Sequence, residues 1–134
     1  MTPTVGQGLR RGLLRRCARC GERDVFDSWF RMKERCPNCG YRFAREEGHF
    51  TGTYLLNFAV TESLMFVVLL GYALWRGMSH SHAPLWPFVL GCGFFAVVAP
   101  IVFYPIATST WAAVDLLMRP LDEEEELDAR IHER

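Results

Sequence analysis

Between Gly77 and Val114 the chain carries no Asp, Glu, Lys or Arg, and a second apolar stretch, Tyr54 to Trp75, lies just before that window. A helix needs about 20 apolar residues to cross roughly 30 Å of hydrocarbon. Segments 54–76 and 87–111 both meet that requirement. A soluble fold would have to bury both apolar cylinders, and the rest of a 134-residue chain is too small to cover them. The reading is therefore a two-helix transmembrane hairpin, with the lipid bilayer as its surroundings and a short extracytoplasmic loop at 77–86. Phe50, Tyr54, Trp75, Trp86 and Trp111 stand where interfacial aromatic belts are expected.

Charge sets the orientation. Residues 1–53 hold 11 of the 15 Arg and Lys against 6 of the 15 acids, a formal +5, so the segment before the first span should remain cytoplasmic. The connection between the spans has only Arg76 beside the membrane. Both termini are thus expected on the inner side of a cytoplasmic membrane. No apolar leader with a cleavage site stands at the start, so no signal peptide is expected. The last sixteen residues, Arg119 to Arg134, carry seven acids and three arginines and make 112–134 an acidic tail.

Before the first span, Cys17 and Cys20 form one C-x-x-C and Cys36 and Cys39 another, with fifteen residues between the pairs. Two residues between thiolates let one tight turn aim both sulfurs at a single ion, and two such turns complete a tetrahedron. Segment 17–43 therefore reads as a four-cysteine zinc ribbon, between a basic segment at 1–16 and a linker at 44–53. Gly21 and Gly40 follow the second cysteine of each pair, where a positive φ is often required. The bulky, β-prone Val25, Phe26, Trp29, Phe30 and Met32 predict a short hairpin beside the metal. So small a domain needs its metal to fold, and reducing conditions on the cytoplasmic side would keep the thiols available. Arg15, Arg16, Arg19 and Arg35 are placed to offset the thiolate charge. Cys92, in the second span, is expected to be an inert core thiol.

The run RCARCGERDVFDSWFRMKERCPNCGYRFAREEG, followed by two spans, resembles the domain-of-unknown-function family 983, small bacterial membrane proteins with an N-terminal zinc ribbon. The resemblance covers roughly residues 9–112 and leaves the acidic tail outside. It implies an architecture, a small zinc-ribbon β domain followed by a transmembrane helical hairpin, and no activity.

Within the first span lie Asn57, Thr61, Glu62 and Ser63. A charged side chain near a helix centre costs about 2.5 to 3.5 kcal/mol on insertion scales, so Glu62 needs a partner, a proton or water. Depth counting in an antiparallel hairpin places Glu62 level with Ile101, whose carbonyl Pro105 deprives of its helical donor. A neutral Glu62 is expected to donate there, with Asn57 and Tyr104 as the other intramembrane polar residues. Met78, His80 and His82 on the outer loop read as a solvated turn rather than a metal site. The segment GLRRGLLRR, with Leu9 and Leu13 four apart, suits contact with anionic headgroups. In the tail, Glu123 to Glu126 are expected to dock weakly on the basic ribbon, and Glu126 with Arg130 to form an i,i+4 pair.

No nucleophile elbow, phosphate-binding glycine loop or H-E-x-x-H is present, and four protein thiolates leave zinc no open position for substrate. The expectation is a non-enzymatic accessory protein, an adaptor or assembly and stabilisation factor for a membrane protein complex. Trp29, Phe30 and Arg31 would form its partner surface, and the membrane protein partner is unidentified. The alternative is an oligomeric transport or proton- and ion-handling protein using Glu62, which keeps a homo-oligomer open. Nucleic acid is disfavoured as a partner, because part of the positive charge balances thiolates.

Overall fold

Four helices and a minimal β-hairpin make up the computed structural model, which describes residues 3–45, 48–79 and 84–133. The connection bearing His80 and His82 lies outside the described residues. In chain order the elements are α1 (Val5–Leu13), β1 (Phe26–Ser28), β2 (Arg31–Met32), α2 (His49–Ser79), α3 (Trp86–Met118) and α4 (Glu123–Ile131). β1 and β2 pair antiparallel, Phe26 opposite Met32 and Ser28 opposite Arg31, with an irregularity between those pairs and Trp29 and Phe30 at the tip.

Helices α2 and α3 run antiparallel. Tyr72 stacks on Phe88, Asn57 Nδ2 donates to the Pro100 carbonyl at 3.0 Å, and the Tyr54 and Tyr104 rings lie 6.1 Å apart. Both helices are long and apolar enough to cross a membrane, and only 6% of the most apolar window of each is buried. Neither is buried within this chain as a core helix would be: Phe66, Val67, Leu74, Val89 and Phe94 present their side chains outward.

The two helices extend past the expected spans on the ribbon side, and α3 does so furthest. Its inner end, from Pro105 through Leu116, is buried at Ala107, Thr108, Ser109, Thr110, Ala112 and Ala113. Small side chains permit close approach. Gly12 of α1 packs against this stretch so tightly that a Cβ there would lie 2.9 Å from Thr110 Cα, and Ser109 Oγ donates to the Gly12 carbonyl at 2.7 Å. Trp111, expected at an interface, instead lies against Gly52 of α2 and leaves no room for a side chain there. The buried core joins Cys17, Val25, Cys36, Cys39, Tyr41 and Phe43 of the ribbon to Ala112, Ala113 and Leu116 of α3. Ribbon and helix end share one interior.

Candidate metal centre and its attachment to the helices

The two cysteine knuckles repeat one local geometry. In the first, Gly21 N–H donates to the Cys17 carbonyl at 2.8 Å and Cys17 N–H to the Glu22 carbonyl at 2.8 Å. In the second, Gly40 N–H donates to the Cys36 carbonyl at 3.0 Å and Cys36 N–H to the Tyr41 carbonyl at 2.9 Å. Closing each turn requires a left-handed residue, and Gly21 and Gly40 supply it with φ of 87° and 66°. Arg19, on the first knuckle, donates to the Cys39 carbonyl on the second at 3.2 Å and ties the pair together.

The four sulfurs lie within 4.8 Å of one another, with Cys17 to Cys39 at 3.8 Å and Cys20 to Cys36 at 3.6 Å. A tetrahedron of thiolates about 2.3 Å from a central ion has an edge of about 3.8 Å, so the residues fit a four-sulfur metal ion. Electrostatics point the same way. Cys17 is pushed up, first by its hydrogen bond with Cys20. Cys20 and Cys36 are pulled down to about 6 and about 2, each first by its hydrogen bond with Cys17. Four crowded sulfurs cannot all be charged alone and so share protons, and a divalent cation is what replaces those protons. Cys92 lies near the start of α3, at the end away from the ribbon, and is not in the cluster.

The arrangement is closed chemically: every ligand position of a tetrahedral ion is taken by protein sulfur. Two of the arginines expected to offset the thiolates also meet the tail. Arg35 Nη1 pairs with Asp128 at 2.6 Å, and Arg19 Nη2 approaches Glu126 at 3.5 Å. Arg45 Nε donates to Glu125 at 2.8 Å, and this bond is the first cause holding the guanidinium above its ordinary value. The Arg35 guanidinium, first through its hydrogen bond, holds the Asp128 carboxyl below the usual range. Tail docking thus runs through Glu125, Glu126 and Asp128 rather than the whole Glu123 to Glu126 run. α4 begins at a capping box in which Asp122 accepts from Glu125 N–H, and Glu126 pairs with Arg130 at 3.2 Å. Gly40 meets the Ala129 backbone too closely for any side chain, so α4 covers the second knuckle.

Trp29 and Phe30, expected to face a partner, are exposed and also touch this chain's own helix. Trp29 Nε1 donates to the Ile101 carbonyl at 2.9 Å, and the Phe30 and Tyr104 rings lie 5.5 Å apart. Ile101 is the residue whose carbonyl Pro105 strips of its helical donor. The acceptor expected from the sequence is real and its donor is Trp29, not Glu62. The reason is depth: the pairing of Tyr72 with Phe88 and Asn57 with Pro100 sets Glu62 level with Phe95 and Ala96, beyond reach of Ile101. Tyr104 serves the aromatic contact with Phe30 and Tyr54 instead. Arg31 is exposed beside the hairpin tip.

Glu62 is exposed and, among the described residues, has no hydrogen-bond or ion-pair partner. It lines an open groove of about 410 Å³ with Asn57, Phe58, Thr61, Met65 and Phe95. Asn57 is buried, and its Oδ1 has no partner among the described residues. The bond from Trp29 to Ile101 joins residues 72 apart and left no sequence signal beyond the stripped carbonyl.

A family model described as "Protein of unknown function (DUF983)" matches residues 26–115. It begins in β1, so Cys17, Cys20, α1 and α4 lie outside the matched segment. No curated protein and no solved structure matches the chain.

Proposed function

The chain belongs to the DUF983 family, and from that premise we propose that it is a non-enzymatic, membrane-anchored zinc-ribbon protein that holds or helps assemble a membrane protein complex. The ion is zinc: a buried, all-thiolate tetrahedron suits a d¹⁰ ion without geometric preference. Helices α2 and α3 span the membrane with both termini cytoplasmic, following the basic flank before α2 and the lack of charge beyond Arg76. Aromatic residues at both ends support this placement. Trp29, Tyr54 and Tyr104 mark the inner edge and Trp75 and Trp86 the outer, separating stretches of about 20 residues, the hydrocarbon thickness.

One observation carries the partner reading: Glu62 lies near the middle of that layer, exposed, in a groove where the buried Asn57 has an acceptor unfilled among the described residues. An intramembrane acid left to lipid is costly, and such residues face protein or a water-filled path. The partner surface proposed is therefore this groove, beside the exposed ribbon tip of Trp29, Phe30 and Arg31. Photo-crosslinkers at Phe58 and Met65 in native membranes, read by mass spectrometry, test this. Crosslinks to a different membrane protein, weakened by Glu62→Leu, are expected. Crosslinks to a second copy alone would favour the oligomeric, ion-handling alternative, for which Glu62→Gln should abolish activity. Crosslinks to lipid alone would overturn both.

A further inference from the structure

A second polar concavity lies apart from the metal centre and from the Glu62 groove. Leu14, Arg15, Arg16, Arg23 and Phe26 line a cleft of about 420 Å³, with three guanidinium groups and no acid among them. Its geometry starts at the end of α1. Arg15 N–H donates to the Gly12 carbonyl at 3.0 Å and Arg16 N–H to the Arg11 carbonyl at 2.9 Å, the paired bonds of a Schellman turn. That motif usually places glycine where this chain has Arg15, with φ of 57°. A left-handed residue bearing a Cβ is strained, and such strain is typically retained at functional positions. The conformation carries the Arg15 guanidinium over the Phe26 and Trp29 rings, 4.9 Å and 5.0 Å from their centroids, and leaves Nε buried with no partner among the described residues.

The depth of the cleft follows from Trp29. Its bond to Ile101 puts Arg15 at the level where the exposed apolar surface of the helices begins. Leu13, Leu14 and Phe30, each more than half exposed, stand around it. We infer that this cleft binds the phosphate of an anionic phospholipid in the leaflet on the ribbon side. Arg15, Arg16 and Arg23 take the phosphate oxygens, which guanidinium matches in planar, bidentate fashion. Leu14 and Phe26 lie against the glycerol and the first methylenes. A free phosphate ion would have no use for that apolar wall, which is why a lipid is the ligand named. The inference rests on the membrane placement above and not on the identity of any partner at Glu62.

The test uses the full-length, zinc-loaded protein in non-ionic detergent. It is titrated with short-chain phosphatidylglycerol, short-chain phosphatidylcholine and inorganic phosphate, and bound molecules are counted by native mass spectrometry. Phosphatidylglycerol should be retained in preference to the other two. Arg23→Gln and Arg15→Gln should each weaken its binding about fivefold, the effect of removing one basic group near an anionic surface. Arg10→Gln, on an exposed part of α1 outside the cleft, should leave it unchanged. Metal content shows whether each variant keeps its ribbon, and Arg23, with its exposed side chain, decides the matter if Arg15→Gln loses metal. Equal weakening by Arg10→Gln would show diffuse attraction only and overturn the site. Displacement of the lipid by an equal concentration of inorganic phosphate would overturn the lipid assignment. Flotation with liposomes of phosphatidylcholine alone tests the membrane premise separately, and a chain that does not float removes it.

Discussion

One helix, α3, lives in two environments. From Trp86 to Tyr104 it is built of large apolar residues such as Phe88, Val89, Leu90, Phe94 and Val102, and most of that surface has no protein against it. From Pro105 to Leu116 its residues are mostly small or hydroxylated, and eight of the twelve are buried under α1, α2 and the ribbon. The halves differ in side-chain size as well as in polarity. Bulky residues suit a fluid apolar surrounding that adapts to any shape, whereas Ala, Ser and Thr let other backbones approach closely enough to exclude everything else.

The largest effect should come from removing the metal. Cys36→Ser, or chelation, is expected to release the bound metal ion, worth about 10 kcal/mol or more where comparable small sites hold zinc. Hydrogen exchange should then rise through the ribbon and in α3 from Ala107 to Leu116, while the outer half of α3 stays protected in a bilayer. Unchanged exchange at Ala112 and Ala113 would break the comparison, because it would mean that the buried half stands without the ribbon.

A smaller effect is expected from Gly12→Leu, which forces a side chain against the Thr110 backbone. Overpacking of this kind costs about 1 to 3 kcal/mol. Proteolysis at Arg10 and Arg11 should accelerate while the metal remains bound, and Leu at the exposed Gly91 should have no such effect.

Trp29→Phe should lower stability by about 1 kcal/mol, the usual worth of one hydrogen bond. The loss should shrink in a Pro105→Ala background, where the restored N–H of residue 105 can satisfy the Ile101 carbonyl from within the helix. An additive double-mutant cycle would show that the indole bond does not answer the proline.

The smallest effect belongs to the tail. Asp128→Asn should release α4 measurably only at low salt, as exposed ion pairs are screened. The sign with pH follows from Arg35 holding the Asp128 carboxyl below its ordinary value. The contact is fully present above the ordinary carboxylate range and is lost as pH falls through the lowered one. Release of the tail near pH 5 with metal still bound, read from ribbon resonances, would contradict the pairing.

Much of this molecule was legible beforehand because its signals are local. The cysteine spacing identifies the four sulfurs that meet, the two glycines close their turns, and the uncharged run sets out the helices. Pro105 marked the freed carbonyl, since a proline's missing N–H is a property of one residue. The donor was not legible. Trp29 is exposed, as a partner surface requires, yet nothing in its neighbourhood in the sequence reveals its bond to a helix 72 residues later. Counting from the centre of the connecting loop also placed Glu62 too close to the ribbon, because register in a helical pair is set by side-chain packing along its length.

The sequence by itself determined the chemistry of the parts: four thiolates at ligand spacing, two long apolar helices, a basic head and an acidic tail. Tertiary structure decided which parts touch: the hairpin tip on Ile101, Gly12 on Thr110, α4 over the second knuckle, and Glu62 left facing outward. The physical reason is range. Turn geometry, helix length and ligand spacing depend on neighbours in the chain, whereas each of these contacts depends on the shapes of two surfaces that meet only after folding.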